Sequence, residues 1–272
     1  MSDPTSMPTP SESNGRDTHS DEGEAARARA VLSRFIAACF SGADALRAQM
    51  TGPALRSEVQ QACLRARIAV DTPDALFGTL ADIDALRDAR DRLLGHSVRS
   101  DCPPYELEYC QAEVFQQSQT LADIAGFYNA FGLQLDGPLA ERHDHLVAEW
   151  EFLCILAFRE FQASRSSDAP SSEICRDAQR AFLRDHAARW MPAFFTRVRS
   201  AEPGGPLAPL CDLADALLRA WCDTLGVTLG AQWIELRDIC EDDVAIRCGA
   251  PDAGQVELGP TLAAAAESRG WK

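Results

Sequence analysis

Ten cysteines stand in 272 residues, yet no Cys-x-x-Cys pair occurs; the tightest spacings are eight residues, Cys102 to Cys110 and Cys240 to Cys248. That excludes a zinc knuckle, whose ligand pairs sit closer together. The cysteines fall instead in apolar segments, where thiols pack as small core groups. No apolar run reaches the ~20 residues of a membrane-spanning helix. The N-terminus lacks a basic segment followed by an apolar one, so no export signal is expected. The thiols are then expected to stay reduced in a cytoplasmic protein. Positive charge is scarce: 26 Lys and Arg face 41 Asp and Glu, for a formal net charge of −15. Nucleic acid, which calls for a basic face, is excluded as a partner, whereas a basic partner fits. Gly-x-Ser-x-Gly and glycine-rich phosphate loops are missing. Strand-like alternation with recurring turn signals is missing too, which leaves an all-α single domain.

What is present is helical periodicity, with 46% hydrophobic residues, enough for one good core. Residues 1–23, rich in Pro, Ser, Thr and acid, are expected to be disordered. Residues 24–226 form the expected helical domain, and residues 227–272 a partly irregular C-terminal extension. Helical spacing begins at Glu24–Phe40 and returns at Ala43–Gln49 and Ala54–Ile68. Thr72-Pro73 opens a segment that runs to Leu94, stopped by Gly95. Cys102-Pro103-Pro104 forces extended backbone into Tyr105 and Glu106, and Glu113–Phe131 is a long helix ended by Gly132. Ser164–Pro170 reads as a linker and Ser171 or Ser172 as the start of a helix through Ala188, which Trp190–Ser200 continues or restarts, with Pro192 near the restart. Leu207–Leu225 is the last clear helix; Val227–Ile239 is expected to hold a short one.

The chain is organised around Glu141–Glu160. Its polar start, Glu141 to His145, gives way to a run that is apolar on every face, as in a helix inside a bundle. Asp144 reads as its N-cap. Glu149 and Glu151 sit within the apolar run, where a carboxylate is costly unless paired or left at an open groove. His145 and Glu149 fall one turn apart, and Asp144 and Glu151 two turns apart on a neighbouring stripe. His143, His145 and Glu149 also suit a metal-dependent hydrolase, although a metal-binding helix favours histidines four apart. Structural capping, polar recognition and metal ligation all remain open on these residues alone.

Asp144-His145 opening a helix that continues Glu149-x-Glu151-Phe152 resembles the signature of the TorD/DmsD/NarJ family. Three further pieces agree, in family order, across roughly residues 100–200: Pro104–Tyr109 (PYELEY), Gln119–Leu133 (QTLADIAGFYNAFGL) and Phe182–Val198 (FLRDHAARWMPAFFTRV). The resemblance implies a TorD-like helical bundle and a cytoplasmic, system-specific chaperone with no catalytic residues, cofactor or metal. Its implied partner is the catalytic subunit of a molybdopterin oxidoreductase, held through its twin-arginine leader until the cofactor is inserted. A leader of two arginines and an apolar, helix-prone stretch suits an apolar groove with carboxylates at its mouth. The expected mouth is Glu106, Asp123, Asp144, Glu149 and Glu151. The expected groove is Tyr105, Tyr128, Phe131, His145 and Trp190. A monomer or a helix-swapped dimer is expected, with hinges at Gly132–His143 or Ser164–Pro170. The rival readings are the metal-dependent hydrolase and a generic helical adaptor for some other partner.

Overall fold

The computed structural model describes residues 11–41, 53–68, 73–95, 100–110, 114–134 and 142–237. The expected helix at Ala43–Gln49, most of the expected hinge at Gly132–His143 and the extension beyond residue 237 lie outside them. Among the described residues the structure is all-α, and its one β feature is an isolated antiparallel bridge between Tyr105 and His145.

The helices are α1 (Ser11–Ser41), α2 (Pro53–Arg65), α3 (Pro73–Ala81), α4 (Ile83–Leu93), α5 (Val114–Ala130), α6 (Leu146–Arg165), α7 (Ala169–Phe182), α8 (Ala188–Ala201) and α9 (Ala208–Leu225). A 3₁₀ turn spans Glu106–Tyr109, and a π-helical turn, Leu183–Ala187, joins α7 to α8. α1 begins at Ser11, upstream of Glu24 where the apolar periodicity starts. The segment from Pro73 is two helices, because Asp82 accepts a hydrogen bond from the Ala85 amide and starts α4 afresh.

α6 is the axis of the bundle, packed chiefly against α1 and α7. Leu146, Trp150, Leu153, Leu156 and Ala157 are fully sealed along it, as its all-round apolar pattern requires. Polar core residues pin it as well. Glu160 of α6 accepts from Arg29 of α1 at 2.9 Å and from Gln179 of α7 at 2.8 Å, and Arg176 reaches its other oxygen at 3.1 Å. Gln179 in turn accepts from the Trp221 indole of α9 at 2.9 Å. Burial pulls the Arg29 guanidinium below its usual range, and Glu160 opposes that shift. Cys63 and Cys102 are buried thiols, each pushed up to about 11 by desolvation.

Pro192 does not break α8. Its ring removes one N–H, so the Ala188 carbonyl four residues back loses its helical donor. The Gly230 amide, in the segment after α9, supplies that bond at 2.8 Å. Gly226, at φ +67°, ends α9 in the left-handed region, and Val227 N–H turns back to the Cys222 carbonyl at 2.9 Å. Residues 227–237 then run without helix, against the expectation of a short one. Their hydrogen bonds go sideways, to α8 and to the 3₁₀ turn, rather than along a helix of their own.

Candidate functional site

Tyr105, after Pro103 and Pro104, is extended, at φ −133° and ψ 131°. That short strand lies against the start of α6: Glu106 N–H donates to the Asp144 carbonyl and Leu146 N–H to the Pro104 carbonyl, both at 2.9 Å. The chain then tightens into the 3₁₀ turn, and its four residues are all buried. Glu106 and Glu108 thus sit inside the protein rather than draped over it.

The N-cap of α6 is His145, whose Nδ1 accepts from Val147 N–H at 3.1 Å. Asp144, read as the cap, is fully buried and does other work. It takes the Leu107 amide at 3.1 Å and the Arg142 guanidinium at 2.8 and 2.9 Å, one bond to each carboxylate oxygen. Burial pulls Arg142 down, but Asp144 and Glu108 outweigh it and hold the guanidinium above its usual range. Its charge also lies 4.1 Å above the Tyr105 ring. Burial lowers the His145 imidazole to about 4, so it is neutral at pH 7 and free to accept as a cap.

One turn along α6, Glu149 accepts the Trp190 indole N–H. Burial lifts Glu149 well above the usual carboxylate range, and the neighbouring Glu106 carboxylate adds to the lift. Glu106 receives His186 Nδ1 at 3.1 Å, and His186 Nε2 meets Asp123 at 3.2 Å. His186 lies in the π turn, which widens the helix where the imidazole must reach two carboxylates from different elements. Behind it, Tyr128 donates its hydroxyl to the His143 carbonyl at 2.9 Å and packs on Phe152, as do Phe131 and Phe182.

The four sequence segments that carry the family resemblance therefore converge on one polar network. The expected open acidic mouth is corrected by this geometry. Glu106, Asp144 and Glu149 are sealed with partners of their own, because the low dielectric that makes an unpaired carboxylate costly also makes these pairings necessary. Asp123 is exposed. Glu151 is half-buried and outside the network, and desolvation alone pushes it up to about 7. Of the expected groove, Tyr128 and Trp190 are buried, while Tyr105, Phe131 and His145 are half-buried.

Beside the network lies a cavity of about 360 Å³ lined by Glu106, Tyr109, Cys110, Gln116, Thr120, Arg189, Trp190 and Ile234. This volume falls in the range of small ligand sites, ~300–1,000 Å³. Glu106 and Trp190 are the two expected residues on its wall. Gln116, Thr120 and Asp123 share one face of α5 by helical spacing, which sets the exposed Asp123 beyond that wall. Sequence reasoning missed Arg142, Glu108, Arg189 and the whole contribution of residues 227–237. The Glu-x-Glu of PYELEY was the available signal for Glu108. Nothing local marks Ile234 or Arg237. Among the described residues no three His, Cys, Asp or Glu side chains gather as metal ligands.

A family model described as nitrate reductase delta subunit matches residues 53–196. The perchlorate reductase assembly chaperone protein of Dechloromonas aromatica is 33% identical over 100 residues, 37% of this chain and 44% of that protein. The selenate reductase assembly chaperone protein of Thauera selenatis is 39% identical over 82 residues, 30% of this chain and 42% of that protein. The chaperone protein TorD of Vibrio cholerae is 27% identical over 125 residues, 45% of this chain and 54% of that protein. The chain thus matches about half the length of these relatives. No solved structure matches it. Two of these relatives are named as assembly chaperones and the third as a chaperone.

Proposed function

We propose, on the premise that this chain belongs to the nitrate reductase delta subunit family, that it is a non-catalytic assembly chaperone of a molybdenum-containing oxidoreductase. On this reading it works in the cytoplasm and binds the twin-arginine leader of the catalytic subunit. It keeps that subunit from export until the cofactor is in place. No bond is made or broken; the work is reversible binding. The carrying observation is the convergence of the four motif segments on the Glu106–His186–Asp123 and Glu149–Trp190 pairs, next to the cavity that Glu106 and Trp190 line.

A guanidinium entering that cavity meets the Glu106 carboxylate, and Asp123 draws it in from solvent. The flat face of Trp190 and the stems of Gln116 and Thr120 take the apolar part of the peptide. Glu149, Asp144 and Tyr128 stand behind the wall. They position Trp190, the 3₁₀ turn and the loop before α6, and do not touch the ligand.

Calorimetric titration of the purified chain with synthetic leaders, each carrying an Arg-Arg pair before an apolar stretch, tests the reading. Binding is expected for a leader with Arg-Arg and loss of about tenfold in affinity for its Lys-Lys counterpart, since an ammonium lacks the planar fork. No binding by any leader, either to the chain itself or to variants that release residues 227–237, overturns the leader-binding reading. Copurification with a molybdoenzyme subunit tests the coarser chaperone reading separately.

A further inference from the structure

Residues 227–237 (VTLGAQWIELR) form a strap that crosses the site. It leaves α9 at Gly226 and docks on α8 through Gly230 N–H, on the carbonyl that Pro192 leaves without a helical donor. The fit is tight, because a Cβ on Gly230 would stand 2.2 Å from the Arg189 carbonyl oxygen. Farther along, Gln232 meets Thr196 at 3.2 Å, the Ile234 carbonyl takes the Arg197 guanidinium at 2.9 Å, and that guanidinium lies 4.4 Å over the Trp233 ring. Ile234 closes one side of the cavity that Glu106 and Trp190 line.

The last described residue of the strap is an arginine. Arg237 N–H donates to the Glu108 carbonyl at 3.0 Å, and its guanidinium reaches the Glu108 carboxylate at 2.8 and 3.4 Å. Glu108 is buried, and Arg142 bonds it from the other side at 3.3 Å. A non-helical segment with main-chain hydrogen bonds, an apolar residue on the cavity wall and an arginine on a buried carboxylate already fills the place. Those are the contacts an arginine-bearing peptide would need.

We infer that the strap is a built-in occupant of the peptide groove, that Glu108 is a second arginine-receiving carboxylate of that groove besides Glu106, and that a client peptide binds by displacing residues 227–237 from it. This rests on the leader-binding reading above. The strap is suited to leave. None of its residues is buried, and Trp233 is 57% exposed. Competition of this kind lowers the apparent affinity by the fraction of molecules with the groove open.

The test is hydrogen exchange of residues 227–237 in the full chain, with and without a synthetic peptide carrying Arg-Arg before a leucine- and alanine-rich stretch. Binding of the same peptide is measured to the parent chain, Gly230→Ala and Arg237→Ala. Faster exchange across the strap on peptide binding is expected, with apparent affinity raised about fivefold or more in both variants. Binding that appears only in the two variants supports the inference equally. Binding with unchanged exchange and unchanged affinity in both variants overturns the strap inference and leaves the leader reading standing. No binding to the parent or to either variant overturns the leader reading, and the inference with it. Because the two variants act at opposite ends of the strap, misfolding of one leaves the other to decide.

Discussion

Trp190 donates its indole N–H to both carboxyl oxygens of Glu149, at 3.2 and 3.1 Å, and both side chains are buried. The pair joins α8 to α6 across 41 residues of chain. Trp190→Phe removes the donor and leaves a buried carboxyl without its partner. A loss of about 2–4 kcal/mol in urea unfolding is expected. Adding Glu149→Leu removes the unpaired acid, and the double variant is expected to recover about 1 kcal/mol or more of that loss. Strict additivity would show that the two side chains do not depend on each other.

Glu160 ties α1, α6 and α7 together through Arg29, Arg176 and Gln179. Glu160→Leu leaves the buried Arg29 guanidinium uncompensated. The cost is expected at about 3–5 kcal/mol, read from the urea midpoint at constant slope. Arg176→Ala removes only the partly exposed arm, and about 1 kcal/mol or less is expected.

Glu151 supplies a pH dependence. Its carboxyl is raised by burial from an ordinary value near 4.5 to about 7 in the folded chain. A raised folded value means that its favourable contribution is complete below about 4.5 and is lost as pH rises through about 7. Glu151→Gln keeps the neutral form at every pH. With part of the side chain open to solvent, a gain of about 1–2 kcal/mol at pH 8 and none at pH 4 is expected. Unfolding curves at the two pH values check it, and a gain that is equal at both would reject this assignment.

Pro192→Ala restores an N–H opposite the Ala188 carbonyl, which then competes with Gly230. Hydrogen exchange at the Gly230 amide is expected to quicken about tenfold while exchange within α6 stays unchanged. An unaltered Gly230 rate would mean that the proline plays no part in holding the strap.

Much of the fold was legible because its signals are local. The apolar run of Leu146–Phe158 marked α6 as central, Gly226 marked the end of α9, and Cys102-Pro103-Pro104 marked the extended approach to Tyr105. Asp168 rather than Ser171 or Ser172 starts α7, a shift within one turn, because its carboxylate accepts the Ser171 amide. The helix that continues or restarts near Pro192 does restart, at Ala188 after the π turn, and Pro192 lies inside it because Gly230 replaces the donor that its ring removes. Asp144 misled: the same short carboxylate can cap a helix or bind an arginine, and Arg142 decided between them.

The order of motifs along the chain, by itself, determined the helical class and the central helix, because periodicity, caps and residue types are written within a few positions of one another. Only the packed molecule decided which carboxylates are sealed. That depends on which helix brings an arginine, histidine or tryptophan to meet them. It also decided that residues 227–237 lie across the cavity, because a donor for the Ala188 carbonyl and an arginine for Glu108 arrive from distant stretches of chain that no local pattern connects.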